Sequence, residues 1–563
     1  MKELWNKCRY HFVDVVQIVL FIFLIWIDLK RCSGTGDEWA AANQNIWWIT
    51  ASFVLLHYGM SAVKKWWVPM YLGTTLLFLI LIRIFLWNAP YVPFIELSLT
   101  TVNIGVIGWA AGVFILVVYQ RFVVKERKEK ISFEGIWAFC RKNKSLVAGI
   151  LFLFLAAIMK DDLHKPFETL CIFSFLFSVP FTREEKKRLA GNLIWGIMAG
   201  FWLQQMFAFG FRPYMDGYIR YRGMYYNSNI YALLCLTVLV LTLVKLHEVR
   251  MQKGWKGILH IFLVVQYCVT FSLIVFSIGR ITILLAGGIT VLYLFYVFME
   301  SGKEKRKNAW KQFILYVVLL GLVFPGTYLS IRYLPVILKH PVEFHDEYYL
   351  RGDLNNSDDY VSPEEFAEES LGRLAKLWNS YGGKSELENK LDKQNEENGD
   401  KKELVPIDPD WEKTKYYLDY ENGYNAIELR LGIWLSFLDD MNLTGHTLEE
   451  STQYITPYKA MMHAHNIFVQ MIFSYGIIAG LVFVVWIVLY YVQAWKHLKE
   501  NKGTAFGMLP LGVLILVTGF GFVELNWQLG QITWYLLIFT QLLMIQKPAV
   551  GKCDKTNLSR QAK

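Results

Sequence analysis

Arginine and histidine side chains occur in four separate stretches whose chemistry suits a phosphorylated substrate. The first stretch, 218–229, carries Arg220 and Arg222 directly before Gly223. A guanidinium presents a planar fork of donors that matches phosphate oxygens. The glycine and the asparagines after it suit a turn that brings backbone donors close to a ligand. The alternative is an ordinary helix start whose arginines meet lipid headgroups.

The second stretch is the short segment Ser277-Ile278-Gly279-Arg280. Arg280 opens a predicted helix, where free backbone amides and the helix dipole already favour an anion. A lone arginine at a membrane edge can equally meet a lipid phosphate.

The third stretch pairs Arg430 with Trp434, four residues apart and therefore on one face of a helix. A turn at Gly445 and His446 follow. The alternative is a structural surface helix that ends in a turn.

The fourth stretch is His463-Ala464-His465-Asn466, directly before an apolar segment. A histidine near its ordinary pKa of about 6.5 can take a proton from a hydroxyl group. Two histidines at i and i+2 do not share a helix face, which argues against a zinc pair. We therefore expect no metal and no cofactor, and the alternative role for either histidine is a helix cap.

The composition identifies the class of protein that must position these stretches. Hydrophobic residues make up 54% of the 563 residues and charged residues 19%, against roughly 45–50% and about 25% in soluble domains. The aromatic content of 16%, with 21 Trp, is typical of a chain that crosses many membrane interfaces. The net charge of +9 fits basic cytoplasmic loops, so no nucleic-acid partner is expected.

Apolar patterning predicts an all-α polytopic membrane protein with about 14 transmembrane helices of roughly 20 residues each. The segments lie at 12–28, 45–63, 67–87, 99–120, 146–159, 167–181, 189–209, 229–246, 257–278, 281–299, 312–329, 466–491, 505–523 and 528–546. The pair at 146–159 and 167–181 is short, and one re-entrant hairpin is the alternative there.

The distribution of Lys and Arg predicts a multi-pass protein of the cell membrane with both termini in the cytoplasm. All four stretches then fall on the extracytoplasmic face. The predicted divisions are an N-terminal transmembrane bundle, central helices with outer arginine-bearing loops, a large acidic extracytoplasmic loop, C-terminal transmembrane helices and a cytoplasmic tail. Their boundaries are 1–188, 189–329, 330–462, 463–546 and 547–563.

The large loop 330–462 holds 27 Asp and Glu against 14 Lys and Arg. Its middle is polar and poor in apolar residues, so that part is not expected to bury a core. Ser362 followed by Pro363 and two glutamates predicts a capped helix start. The apolar residues that follow suit a helix on the membrane or on the outer face of the protein.

Together, several outer arginines and a histidine on one face would form a diphosphate pocket with a base beside it. Such a site suits attack on a substrate whose leaving group is a lipid diphosphate. The arginines would stabilise the growing negative charge and the histidine would remove the proton of the nucleophile. A metal is not required, since the arginines supply the positive charge.

In the order of these motifs, the sequence resembles the O-antigen ligase and polymerase superfamily of bacterial membrane glycosyltransferases over roughly residues 190–490. The motifs are Gly223-x-x-x-Asn227-x-Asn229, Ser277-x-x-Arg280, Arg430 with Trp434, Leu443-Thr444-Gly445-His446, and His465-Asn466 followed after nine residues by Gly476. Ser228 replaces a proline common in the family, Thr447 replaces a glycine, and Ala479 stands where a glycine recurs.

The resemblance implies a C-type glycosyltransferase fold and an undecaprenyl-diphosphate-linked glycan donor at the outer leaflet. The acceptor would be a glycan, a glycolipid or a wall polymer. The resemblance also implies His465 as the base for the acceptor hydroxyl and inversion at the anomeric carbon. The residues it implies around the diphosphate and substrate are Arg222, Arg280 and Arg430, with Arg220, Asn229 and His463 beside them.

Four functions remain open at this level. An O-antigen ligase is slightly favoured over a polymerase of lipid-linked repeat units, because the outer loop and its His465-Asn466 ending resemble the ligase branch more. A flippase or transporter of lipid-linked glycans would need polar groups near mid-membrane and favours an internal repeat, whereas the polar groups here collect on one face. A structural scaffold would not need His465.

Overall fold

The computed structural model describes the first helix and most of the chain from residue 133 onward. The described residues are 2–33, 50, 53, 133–159, 169–170, 172–173, 176–177, 179, 181–214, 220–225, 227–253, 257–300, 303–338, 356–378, 415–418, 426–447, 449–526 and 531–546. Three predicted transmembrane segments, 45–63, 67–87 and 99–120, lie wholly or largely outside them, and a fourth, 167–181, is described at only eight of its fifteen positions.

The described chain is dominated by α-helices and contains one short β-hairpin. The helices are α1 (Lys2–Ser33), α2 (Phe133–Lys142), α3 (Lys144–Ile158), α4 (Arg183–Phe211), α5 (Ser228–Lys253), α6 (Ile258–Phe276), α7 (Arg280–Glu300), α8 (Lys303–Leu338), α9 (Pro363–Trp378), α10 (Ala426–Asp439), α11 (Ile467–Glu500), α12 (Ala505–Gly521) and α13 (Ile532–Met544). The strands are β1 (Gln453–Thr456) and β2 (Lys459–Met461).

Within the described residues, seven helices are long and apolar enough to cross a membrane. These are α1, α4 to α8 and α11, while α3, α12 and α13 are shorter apolar helices. The ten helices coincide with the ten predicted segments outside the four named above. A helical protein able to span a membrane is therefore confirmed, and α3 is an unbroken helix over the first of the two short segments.

Close packing of α1 on α4 uses small residues, as in membrane helix pairs. Gly196 and Gly200 lie one turn apart on α4, and a Cβ added at either would lie within 2.8 Å of the side chain of Phe21 or Ile25 of α1. Any larger residue at these two positions would push the helices apart.

The helix termini are grouped at the two opposite ends of the bundle, and one of these ends is basic. Arg183 Nη2 at the start of α4 donates to Asn501 Oδ1 just beyond α11, at 2.7 Å. Lys186 Nζ donates to the carbonyl oxygen of Ile545 beyond α13, also at 2.7 Å. The start of α4 thus lies beside the ends of α11 and α13, which makes these neighbours antiparallel.

The opposite end, called here the site end, joins the end of α1 to the starts of other helices. The buried Asp28 carboxylate accepts from the Tyr225 hydroxyl at 2.8 Å and from the Ile532 amide at 3.0 Å. The Tyr221 amide donates to the carbonyl of Phe276 at 2.9 Å. All the described predicted site residues lie at this end or in the loop beyond it.

The predicted helix after Ser362 is confirmed as α9, and it rests on the bundle. The Ser362 amide donates to the Glu365 carboxylate at 2.7 Å, and the Glu365 amide donates to the Ser362 hydroxyl at 3.1 Å. This reciprocal pair is a capping box. Phe366 then packs its ring against Phe276 at 5.3 Å, so α9 lies on the site end of the bundle.

The β-hairpin corrects the all-α expectation for the large loop. Strands β1 and β2 pair antiparallel, with Tyr454 opposite Ala460. The hairpin joins a small separate core with α10 and the first turns of α11, in which Ile455, Phe437 and Phe473 are fully buried. This part of the loop is therefore a folded unit with its own core. The segment is too short and too irregular in polarity for its pairing to be evident from the sequence.

Candidate functional site

A histidine and a glutamate form the centre of the site. His465 Nδ1 lies 2.7 Å from Glu524 Oε1, and each side chain is 19% exposed. An ionised carboxylate only accepts hydrogen bonds, so the imidazole donates from Nδ1. Nε2 of His465 is then the ring nitrogen left to take a proton.

Two helix termini hold this pair together. Asn466 caps α11 by accepting from the amides of Phe468 and Val469, at 2.9 and 3.3 Å. Its own side-chain amide donates to the carbonyl of Phe522 beyond α12, at 3.3 Å. His465 precedes this cap with a φ of +49°, a left-handed conformation that is uncommon for a residue with a side chain. The bend turns the imidazole toward the end of α12.

His463 lies against His465 and not on the far side of a helix. The segment before α11 is not helical, and the two ring centroids are 3.9 Å apart. The sequence argument against a zinc pair assumed helical spacing, which this segment does not have. Burial lowers the pKa of His463 to about 4, with a further lowering by His465 that outweighs the opposing effect of Glu524. His463 is consequently neutral at neutral pH.

Arg430, on α10, completes the charged group. Burial lowers the pKa of its guanidinium, and the Glu524 carboxylate opposes that change. For Glu524, burial raises the pKa, but the hydrogen bond and charge of His465 and the charge of Arg430 lower it to below its usual range. The carboxylate is therefore ionised at neutral pH. Arg430, His463, His465 and Glu524 are called the His–Glu cluster below.

Several buried polar atoms of this region have no hydrogen-bond partner among the described residues. They are Nη1 of Arg430, Nε1 of Trp434 and Nδ1 of His463. Burying a polar group without a partner costs about 1–3 kcal/mol, so such groups at one place favour a ligand that supplies the missing acceptors and donors. The shared helix face predicted for Arg430 and Trp434 is confirmed by α10.

Two glycines form a close backbone contact between the large loop and α11, which we call the clasp. One is Gly445 of the loop, and the other is Gly476, where the backbone of α11 is not helical. Gly445 and Gly476 have φ values of +81° and +82°, and each faces the other's backbone. A Cβ on Gly445 would lie 2.1 Å from the Ser474 carbonyl oxygen, and one on Gly476 would lie 2.2 Å from the Leu443 carbonyl oxygen. The glycine of the Leu443-Thr444-Gly445-His446 motif and the glycine after His465-Asn466 are thus two halves of one contact.

His446 lies beside this contact, and each of its ring nitrogens has a polar neighbour within hydrogen-bond distance. Its ring stacks on Phe473 with centroids 4.0 Å apart and an interplanar angle of 7°. Nδ1 lies 3.1 Å from the Phe473 carbonyl oxygen, and the Asn442 side-chain amide lies 3.1 Å from Nε2. His446 is therefore a structural residue.

The first and second predicted stretches pack together into what we call the arginine turn, residues 220–223 with 277–280. Arg220 Nε donates to the Ser277 carbonyl at 2.8 Å, and its Nη2 donates to Asn229 Oδ1 at 2.5 Å. Arg222 is buried and lines a crevice with Arg212 and Arg220. Arg220 and Asn229, both predicted to bind substrate, thus bond to each other and to the turn.

Arg280 lies at the same end as Glu524. Leu285 of α7 would be 2.9 Å from a Cβ on Gly519 of α12, so the two helices touch there. Arg280 begins α7 and Glu524 follows the end of α12, and both lie beyond this contact toward the site end. The arginine turn and the His–Glu cluster therefore belong to the same face of the bundle.

Glu524 was missed by the sequence analysis, although a signal was present. It directly follows the predicted segment 505–523 and therefore belongs to the same face as the four stretches. A phosphate pocket is indicated by arginines and histidines, whereas a carboxylate that orients a histidine has no pattern of its own along the chain.

One group of the described residues has the donor set of a metal site. His463, His465 and Glu524 each offer a ligand atom, and these atoms lie within 4.8 Å of one another.

Neither a scan against known protein families nor a search of curated proteins finds a match for this chain.

Proposed function

We propose that this protein is a membrane glycosyltransferase of the O-antigen ligase kind. It transfers a glycan from a lipid diphosphate carrier, as in undecaprenyl-diphosphate-linked glycans, to an acceptor hydroxyl at the outer leaflet. The acceptor is a glycan, a glycolipid or a wall polymer. In this proposal about 14 helices form a C-type glycosyltransferase fold, both termini lie in the cytoplasm, and the site end faces outward.

The observation that carries the proposal is the His465–Glu524 hydrogen bond beside the buried guanidinium of Arg430. An ionised carboxylate on Nδ1 holds the imidazole in one tautomer and stabilises the imidazolium that forms when Nε2 takes a proton. The same pairing of base and positioning carboxylate serves hydroxyl nucleophiles in unrelated enzymes. Here His465 is the catalytic residue and Glu524 is a positioning residue.

The chemistry proposed is one direct displacement. The acceptor hydroxyl oxygen bonds to the anomeric carbon while the bond from that carbon to the diphosphate oxygen breaks. The hydroxyl proton passes to Nε2 of His465, and the electron pair leaves with the lipid diphosphate. Arg430, with Arg222 and Arg280 of the arginine turn, stabilises the charge on that leaving group. A single displacement inverts the anomeric configuration, and a product that retains it would contradict this mechanism.

The position of the polar groups supports transfer over transport. A transporter of lipid-linked glycans places its binding groups near the midplane, whereas the His–Glu cluster and the arginine turn lie at one end of the bundle. A polymerase of lipid-linked repeats shares the donor and the chemistry and remains the alternative. The two differ only in the acceptor, and the loop 330–462 is where we expect the acceptor to be chosen.

The test uses a strain that lacks this gene and is complemented with wild type, His465→Ala, Glu524→Gln or Met462→Ala. Met462 is 61% exposed and serves as the matched control beside the site. Because a positioned base contributes about 10²–10⁴-fold, His465→Ala is expected to reduce surface polymer to the level of the deletion. Glu524→Gln keeps the shape but removes the charge, and we expect a smaller loss.

The pools of lipid-linked glycan identify the reaction. Long chains stranded on the outer-leaflet lipid indicate a ligase, and single repeats there indicate a polymerase. Single repeats trapped on the inner leaflet would indicate a flippase and overturn the proposal. Wild-type polymer from folded His465→Ala protein would also overturn it, whereas Met462→Ala is expected to match wild type.

A further inference from the structure

The His–Glu cluster has a second chemical capacity besides taking a proton. Two imidazoles and one carboxylate are the protein ligands of many zinc sites that keep a fourth position open for water. The ligand atoms of His463, His465 and Glu524 lie within 4.8 Å of one another. In a tetrahedral site with bonds of about 2.0–2.2 Å, ligand atoms are about 3.3–3.6 Å apart, so modest side-chain rotations would close the site.

The local backbone allows these rotations. None of the three ligands lies inside a helix, because His463 and His465 precede α11 and Glu524 follows α12. Nδ1 of His463 is buried and has no hydrogen-bond partner among the described residues, so no bond must break to free it. His465 and Glu524 remain 19% exposed, which leaves an ion a route from solvent.

The charge state also suits a cation. Metal ions bind neutral imidazoles and carboxylates, and this group offers two imidazoles and one carboxylate. Arg430 repels a cation, and the carboxylate charge of Glu524 offsets that repulsion.

We propose that His463, His465 and Glu524 bind a divalent transition-metal ion, with Zn²⁺ the best match, and that the bound ion blocks transfer. Imidazole and carboxylate ligands suit Zn²⁺ better than Mg²⁺, which demands octahedral oxygen ligands. An ion on His465 either occupies Nε2 or replaces the Nδ1 proton, which then moves to Nε2, so that no ring nitrogen is left to take the proton of the acceptor. This second half of the inference rests on the proposed function, while metal binding itself does not.

Binding is measured on the full chain, purified without a histidine tag and placed in lipid nanodiscs. Co²⁺ reports its geometry through visible absorption, and Zn²⁺ affinity follows from competition with a chromophoric chelator. We expect one tight site per chain. His463→Ala and Glu524→Gln should each weaken Zn²⁺ binding at least about tenfold, since even groups that only support a ligand contribute 10–100-fold.

His11→Ala is the matched control, because His11 is an exposed histidine on α1. It is expected to leave the affinity unchanged, and thermal unfolding of each variant verifies that it is folded. Should His463→Ala destabilise the protein, His463→Gln replaces it. Failure of wild type to bind, or equal affinity in wild type and in both site variants, would overturn the proposal.

Transfer assays with and without Zn²⁺ separate this inference from the proposed function. Transfer that proceeds in chelator and stops at saturating Zn²⁺ is the expected result. Zn²⁺ binding without any transfer activity in chelator would overturn the proposed function and leave the metal site standing. Full transfer at a Zn²⁺ concentration that saturates the site would overturn the blocking role alone.

Discussion

The arginine turn and the His–Glu cluster lie at the same end of the bundle, yet Arg220 of the turn and Arg430 of the cluster differ in how their hydrogen-bond donors are used. In the turn, Arg220 donates hydrogen bonds to the Ser277 carbonyl and to the side chain of Asn229. In the cluster, buried atoms of Arg430 and His463 have no hydrogen-bond partner among the described residues. Hydrogen-bonded polar groups stabilise a fold, whereas a buried polar group without a partner lowers its stability until a ligand supplies that partner.

This difference separates two arginines that the sequence predicts on the same face of the protein. Arg220 holds the loop before α5 to the turn before α7, and its contribution is to the shape of the pocket. Arg430 has a buried donor available beside the charge of Glu524. The comparison therefore favours Arg430 over Arg220 as a direct contact to the leaving diphosphate.

The largest effect is expected from breaking the clasp that supports the cluster. In Gly476→Ala the new Cβ would lie 2.2 Å from the Leu443 carbonyl oxygen at a φ of +82°. A left-handed backbone alone costs about 1–2 kcal/mol, and the clash should bring the total to roughly 3 kcal/mol or more. Thermal unfolding and limited proteolysis of the loop measure it, and transfer should be lost.

Gly372→Ala is the matched control for that substitution. Gly372 lies on α9 and a Cβ there meets no heavy atom within 4 Å, so alanine should stabilise the helix by about 0.5–1 kcal/mol. If Gly476→Ala unfolds like Gly372→Ala, the clasp does not support the cluster.

Substituting each of the two arginines separately is the sharpest test of the comparison. Arg430→Gln should lower the rate of transfer about 10²–10³-fold, as loss of one charge-stabilising donor does, with little change in the melting temperature. Arg220→Gln loses two hydrogen bonds and should cost about 1–3 kcal/mol of stability. Initial rates per folded protein are compared with thermal unfolding. The reverse pattern would mean that Arg220 contacts the substrate.

The smallest effect is expected at the cap of α9, on the side of the arginine turn. Ser362→Ala removes half of the capping box and should cost about 1 kcal/mol locally. Amide hydrogen exchange within α9 should rise about fivefold, with transfer unchanged. Thr182→Ala, in the capping box of α4, is the control at the basic end. Loss of transfer in Ser362→Ala alone would show that α9 contributes to the site.

Much of the fold was predictable because it depends on local patterns. Each predicted segment within the described residues corresponds to a helix, since an apolar run near 20 residues leaves the backbone no other way to satisfy its hydrogen bonds in a bilayer. The cap at Ser362 was predictable for the same reason, because a capping box depends only on neighbours in sequence. The hairpin β1–β2 was not predictable, since its pairing rests on a small core shared with α10 and α11.

The candidate site also has features that were predictable from the sequence and contacts that were not. The sequence by itself predicted which residue types lie on one face of the membrane, because the prediction of sidedness depends on charge and hydropathy along the chain. Only the tertiary structure decided that Glu524 meets His465, that His463 joins them across a non-helical bend, and that Arg220 bonds to Asn229. These contacts join segments distant in sequence or depend on a backbone bend, and neither leaves a periodic signal in the residues themselves.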